Sequence, residues 1–511
     1  MSGRRAVSEA ARARASLVND ETLARVRTGF LDPNRELCAA IDDAIRGRRG
    51  RRLLPVSVLF GGMVYLMMER RRITITEVAR CLRHEATAEE LAWLAGEPEE
   101  DGPAGELRRL PTPSRSQLYR VLAALKRVVA LDARSEDPRV RKMRALFASD
   151  DSRSLLTSMA NALIAPTAPA LPPDGVWATD TTYLNAFTRP IAHKRILEGE
   201  RASDPDARWR VIQRDDEPPK MHFGYQIVAI AATNPSVEYV RAIAVARANE
   251  RDDHIAENLV ERLQAASIPI RTLIVDRGFS QHRAFLADMR NRDVSPAFDL
   301  RRDQDRRTPN WRGCLVLDGW PYLPSLPRRL WSLPRPAVNA PEKEKHAWRT
   351  AAAERERYAL VVKEWLSSTA VRVVSPVFRR RQMGCKRMPH TVRTCDPTLA
   401  VCPGDHGPDD GCCLKNGVWR AERAPWTYQC PAWGSREWQT LYARRSAIER
   451  RFNMLKNADC VGFASGRIRW RGLPAVTLLC ALGWVAHNLQ LAAAQERKRA
   501  KAPPPPRARA A

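Results

Sequence analysis

Between residues 176 and 300 the chain sets short apolar runs and amphipathic stretches in an order that few folds accommodate. "VWATD" (176–180) reads as a strand ending at Asp180. After a polar insertion, "YQIVAIAATN" (225–234) and "YVRAIAVARAN" (239–249) read as two more strands. "HIAENLVERLQAAS" (254–267) has helical spacing, and "RTLIVD" (271–276) reads as a strand ending at Asp276. "SQHRAFLADMRNRD" (280–293) reads as a helix capped by Ser280, and "VSPAFDL" (294–300) as a last strand.

The predicted order is β-β-β-α-β-α-β. Three adjoining antiparallel strands followed by helix-strand-helix-strand is the way a ribonuclease-H-like domain is written. The expected class is therefore α/β: a ribonuclease-H-like mixed sheet over 170–300, split by an insertion at 301–434 and resumed over 435–495. In such a sheet the ends of the first and fourth strands lie side by side, which would bring Asp180 and Asp276 together. Taken singly, each aspartate reads equally well as a turn residue, because Asp commonly ends strands.

A third acid comes from "YARRSAIERRFNMLK" (442–456), where Glu449 stands among Arg444, Arg445, Arg450 and Arg451. At 3.6 residues per turn, Tyr442, Arg445, Glu449 and Lys456 share one stripe of a helix capped by Ser435. Leu441, Ile448, Phe452 and Leu455 form the neighbouring stripe that a core would bury, while Arg444 and Arg451 point away. A solvated helix laced with ion pairs would show the same pattern. Three converging carboxylates repel one another unless divalent cations neutralise them, and hard oxygen ligands suit Mg²⁺ or Mn²⁺. Two such ions, roughly 3.5–4 Å apart, serve phosphodiester chemistry without a protein nucleophile.

Charge points to the same kind of partner. The 511 residues hold 85 Lys+Arg against 58 Asp+Glu, a formal net charge of +27 spread along most of the chain. Such a charge favours a polyanion, with nucleic acid ahead of an anionic membrane surface. No apolar signal-peptide core opens the sequence, and the runs Leu53–Met68 and Leu473–Leu482 are too short or interrupted to span a bilayer. Eleven cysteines without a secretory signal indicate reduced thiols, as expected in a cytoplasm.

Outside this core, residues 1–160 read as a helical DNA-binding region. Capping-box signatures at Thr74/Glu77 and Ser114/Gln117 open amphipathic stretches, the second exposing Arg115, Arg120, Lys126 and Arg127. A Pro-rich linker, "APTAPALPPDG" (165–175), follows. Asp252 and Asp253 read as helix caps. In the insertion, Cys385, Cys395, Cys402, Cys412, Cys413 and Cys430 crowd together with His390 and His406, but no C-x2-C pair supports a zinc ribbon, and free buried thiols explain them as well. Trp311, Trp320, Trp331, Trp348 and Trp365 read as core or docking residues, with base stacking as the alternative. The Pro/Arg-rich tail, 496–511, is expected to be disordered.

With these residues in hand, the chain resembles the DDE transposases of bacterial insertion sequences, in particular the group whose third-acid helix carries Y-x2-R-x3-E-x6-K. Tyr442, Arg445, Glu449 and Lys456 match that spacing at all four positions, and "ATDTTYL" and "LIVDRGFS" resemble the two aspartate blocks. The resemblance covers about 170–300 and 434–490. It implies Asp180, Asp276 and Glu449 as catalytic metal ligands for two Mg²⁺ or Mn²⁺ ions, and Tyr442, Arg445 and Lys456 as DNA contacts. It also implies cleavage at terminal inverted repeats, strand transfer of the 3′-hydroxyl into target DNA, and a homodimer in the synaptic complex. Two other readings share the same residues: a non-cleaving DNA-binding protein derived from a transposase, and a structure-specific nuclease.

Overall fold

The computed structural model describes residues 19–46, 53–95, 113–301, 307–379, 384–386 and 413–501. Within those ranges, positions 169, 189, 191, 193–194, 196–197, 199, 201–202, 214–217, 236–237, 338, 425, 458–461 and 464–468 are excepted. Among the described residues, eight α-helices come first: α1 (Asp20–Val26), α2 (Arg35–Ile45), α3 (Val56–Met68), α4 (Ile75–His84), α5 (Ala88–Leu94), α6 (Arg115–Val128), α7 (Pro138–Leu146) and α8 (Ser152–Ile164). Helix α3 is apolar on every side and accordingly lies inside the bundle. The box predicted for α6 is complete, with Ser114 and Gln117 bonding each other's backbone N–H. At α4 only half forms: Thr74 accepts from Glu77 N–H, but the Glu77 carboxylate turns to Arg71 and Arg80.

The sheet contains β1 (Val176–Asn185), β2 (Arg208–Ile212), β3 (Lys220–Ala232) and β4 (Val240–Arg247). After α9 (Asp252–Ala265) come β5 (Thr272–Ile274), α10 (Arg283–Asn291) and β6 (Ser295–Ala297). Strand β3 pairs antiparallel with β1 on one flank and with β4 and β2 on the other, while β5 and β6 continue parallel beyond β1. Gly224 is required where these strands meet, because a Cβ there would sit 2.1 Å from the Leu184 carbonyl oxygen.

Three sequence-based boundaries are corrected here. The first strand does not stop at Asp180 but runs to Asn185, because its β-branched and aromatic residues Thr181, Thr182 and Tyr183 keep pairing with β3. The polar insertion contributes a strand of its own, β2. Ser280 does not cap α10; it lies in a 3₁₀ turn, Arg277–Gln281, and its hydroxyl donates to the Arg277 carbonyl.

Among its described residues the insertion builds two three-stranded sheets. One comprises β7 (Arg307–Trp311), β8 (Cys314–Leu317) and β9 (Trp320–Tyr322). Helix α11 (Glu342–Glu356) leads to the other, formed by β10 (Val361–Ser367), β11 (Ala370–Val374) and, after the short α12 (Pro376–Arg379), β12 (Gly417–Arg420). Trp320 and Trp419 are buried in its separate core. Trp311, Trp331 and Trp348 are half-buried against that core, whereas Trp365 is 43% exposed on β10. Cys385 and Cys430 are buried and Cys413 is half-buried; Cys395, Cys402, Cys412, His390 and His406 lie outside the described residues.

The last helices are α13 (Arg436–Ala443), α14 (Ser446–Lys456) and α15 (Leu473–Lys501). One continuous core joins the N-terminal helices, the large sheet and α13–α15, so the helical region is not cored separately from the sheet. Helix α15 extends far beyond the apolar run read from the sequence and is long and apolar enough to cross a membrane by length and composition. Its apolar window is 83% buried within the fold, which makes it a core helix. Residues 496–501 of the tail expected to be disordered are helical, since α15 continues through Lys501; residues 502–511 lie outside the described set.

Candidate active site: three carboxylates on one guanidinium

Register brings the two aspartates together. Ala178 pairs with Ile274 at the last rung between parallel β1 and β5, and Asp180 and Asp276 each lie two residues beyond that rung. Equal offsets from one rung put them at the same level of adjacent strands. Beyond that point β5 has ended, so the space beside Asp180 is open to an incoming helix.

That helix is α14, packed across β1 and β3. The single helix expected over 442–456 is broken at Arg444 and Arg445, where N–H groups reach back three residues instead of four. The break separates Tyr442, on α13, from Glu449 and Lys456, on α14, with Arg445 at the joint. Glu449 falls in the first turn of α14 and Lys456 in its last, the ends that favour an acid and a base respectively.

Arg445 ties the acids together. Its Nη1 is 3.1 Å from Asp180 Oδ2 and 3.5 Å from Asp276 Oδ1, while Nη2 bonds Glu449 Oε1. Asp180 also accepts from Thr181 N–H at 2.8 Å. Burial pushes the Asp180 carboxyl up to about 7, Arg445 works against that rise, and Asp276 and Glu449 add to it. With 18% of its side chain still reaching solvent, Asp180 is partly screened, and the upward direction is what its surroundings enforce. Burial opposes the charge on Arg445, but Tyr442, Asp180, Asp276 and Glu449 together raise its pKa, so the guanidinium stays ionised.

The remaining predicted contacts stand around this centre. Tyr442 is buried, stacked on Trp438 with centroids 4.8 Å apart, and covered by the guanidinium groups of Arg335 and Arg445. Lys456 is half-buried near His222 of β3, whose pKa is lowered chiefly by burial and further by Lys456. Neither Arg444 nor Arg451 projects freely: Arg444 pairs with Asp174 at 2.8 Å, and the buried Arg451 bonds the buried Glu238. Arg450 meets the other Glu238 oxygen at 2.8 Å, so this acid between β3 and β4 clamps α14 onto the sheet.

Asp299, just after β6, was missed. It is 2% exposed at its side chain, pairs with Arg277 at 2.9 Å and Arg335 at 3.1 Å, and accepts from Trp433 Nε1. It thereby links the residue after Asp276 to the insertion, which supplies Arg335. A signal existed: Asp299 follows a strand, as Asp276 does. Arg335, inside "SLPRP", carried none.

Among the described residues, the trio of ligand-type side chains whose atoms all lie within 4.8 Å of one another is Asp252, Asp253 and His282 rather than the three acids on Arg445. Asp252 and Asp253 do not cap α9; they sit in its first turn after Arg251. Arg210 pairs with Asp252, Arg251 with Asp253, and His282 Nδ1 lies 3.0 Å from Asp253 Oδ2. Their charge is already met by side chains.

No protein-family model matches this sequence, and no curated protein matches it. Among solved structures it is similar to the cryo-EM structure of a piggyBac transposase synaptic complex with hairpin DNA. The TM-score is 0.32 at 10% identity, over 95% of this chain and 83% of the other.

Proposed function

We propose that this protein is a DNA transposase of the DDE class. The observation that carries the reading is the meeting of Asp180, Asp276 and Glu449, from β1, the end of β5 and α14, on one guanidinium. The strand order β4-β3-β1-β5-β6, three antiparallel neighbours followed by two parallel ones, supports a ribonuclease-H-like core interrupted by the 301–434 insertion.

The donor set fits divalent metal. Three carboxylates already facing a cation are the hard oxygen ligands that Mg²⁺ or Mn²⁺ takes, and Asp180, Asp276 and Glu449 would hold a pair of such ions. When bound, those ions supply an activated water or sugar hydroxyl and a stabilised leaving oxygen at a phosphodiester. The chain's own groups do the rest. Arg445 and Lys456 bind backbone phosphate, and Tyr442 orients Arg445 from beneath. Glu238 sets the position of α14 and therefore of Glu449. The partners in this reading are an element's terminal inverted repeats and target DNA, held by two copies of the chain.

The test is nicking of a supercoiled plasmid carrying the inverted repeats that flank the gene, in Mg²⁺. Wild type should nick and Asp180→Asn should bind without nicking. Equal nicking by both would eliminate the reading. Strand transfer of a pre-cleaved end separates a transposase from a structure-specific nuclease.

A further inference from the structure

We propose that Arg445 is the placeholder cation of this site. Its guanidinium keeps Asp180, Asp276 and Glu449 assembled until divalent ions displace it, and it then moves to the DNA backbone. The proposal rests on reading those three acids as metal ligands.

Four observations support it. First, one side chain touches all three carboxylates, with Asp180 and Asp276 sharing a single nitrogen. One guanidinium among three carboxyl groups does not fill their capacity for cations, so the cluster still attracts divalent ions. Second, the acids' ligand atoms do not all come within 4.8 Å of one another, whereas those of Asp252, Asp253 and His282 do. A guanidinium lying between carboxylates keeps them that far apart, and they can close only when it leaves. Third, a guanidinium remains charged in proteins, so Arg445 cannot yield the site by losing a proton; the whole group must withdraw. Fourth, Arg445 stands at the joint between α13 and α14, where hydrogen bonds run to Tyr442 and from Ile448 across three residues. Its ring contact with Tyr442, at 5.9 Å, is a face along which the guanidinium can slide.

A DNA phosphate offers the displaced guanidinium the planar, two-point partner that it loses. Metal and DNA therefore each favour the arrangement that the other needs, and by linkage each tightens the other's binding. The resting site is protected from self-repulsion, and it takes up metal most readily when substrate is present.

The test is a Mn²⁺ titration of the full-length protein followed by electron paramagnetic resonance, without DNA and with a 30-base-pair duplex of arbitrary sequence. Arg445→Gln should bind Mn²⁺ about tenfold more tightly than wild type in the absence of DNA, with Arg445→Lys between them. The duplex should tighten Mn²⁺ binding to wild type and have much less effect on Arg445→Gln. In chelator, Arg445→Gln should melt below wild type, and Mn²⁺ should restore more of its melting temperature. Arg445→Lys keeps the comparison available if the glutamine variant does not fold. Mn²⁺ affinity in the variants equal to or weaker than wild type overturns the proposal alone. Mn²⁺ binding that is unchanged by Asp180→Asn in every background overturns the metal-ligand reading, and the proposal with it.

Discussion

Arg445 and Asp180 are 265 positions apart in the chain, yet their side chains meet at 3.1 Å. Asp276 and Glu449 complete the same contact set. The site is thus the point at which a strand register, a strand end and a helix joint coincide, and each can be perturbed separately.

The unusual carboxyl of Asp180 makes metal-free stability depend on pH. The ordinary aspartate value is 3.8, and in the fold it is raised to about 7. Between those values the folded chain holds a proton that the unfolded chain has lost, so stability falls as pH rises through that window. Asp180→Asn removes the slope. In chelator, its melting temperature should gain on wild type between pH 5 and pH 8, and parallel curves would contradict this assignment.

Glu449 and Asp276 should be as indispensable as Asp180. Glu449→Gln and Asp276→Asn are expected to lose at least ~100-fold in nicking rate, the upper range for mere support of a metal site. Circular dichroism should remain unchanged, since Glu449 is exposed at the surface of α14. Nicking within a few-fold of wild type would remove that acid from the set.

Glu238 tests whether α14 must be clamped. Glu238→Ala leaves Arg451, 8% exposed, without its buried partner, and should cost about 3 kcal/mol in urea unfolding. Mn²⁺ affinity should fall with it, because Glu449 rides on the same helix. A stable variant with wild-type affinity would show that the clamp is dispensable.

Asp299→Ala deprives Arg277 and Arg335 of their shared acid. Both arginines reach solvent in part, so the expected loss is smaller than for a fully buried pair, about 2 kcal/mol. Nicking should decline more than melting suggests, because Arg335 also covers Tyr442.

Lys456→Ala should weaken end-DNA binding or cleavage while leaving the protein folded, with a loss in unfolding free energy of no more than about 1 kcal/mol for this half-buried side chain. Unaltered binding and cleavage would count against a phosphate role.

Much of the site could be read from local pattern, because strand alternation and helical spacing are short-range properties. The apolar runs around Trp177, Ile227, Val245 and Leu273 announce strands, although Asp180 falls within its strand and Asp276 two residues past its own rather than at their ends. What escaped was set by long-range pairing. Nothing local says that Thr181 to Asn185 continue against β3, that α14 breaks from α13 at Arg444, or that Arg451 turns inward to Glu238. Helical spacing put Tyr442 on a mixed-charge stripe at the edge of the core, but Trp438, one turn earlier, stacks on it and buries it. The insertion resisted reading because its strands are short, bulged or interrupted by Pro and Gly, so no period of two develops.

The account turns on whether Asp180, Asp276 and Glu449 form one divalent-cation pocket. A crystal of the full-length protein grown with Mn²⁺ and measured at the manganese absorption edge addresses it directly. Anomalous peaks contacting all three carboxylates, with the Arg445 guanidinium withdrawn, are the predicted result. Peaks at Asp252, Asp253 and His282, with Arg445 still seated among the three acids, would contradict it.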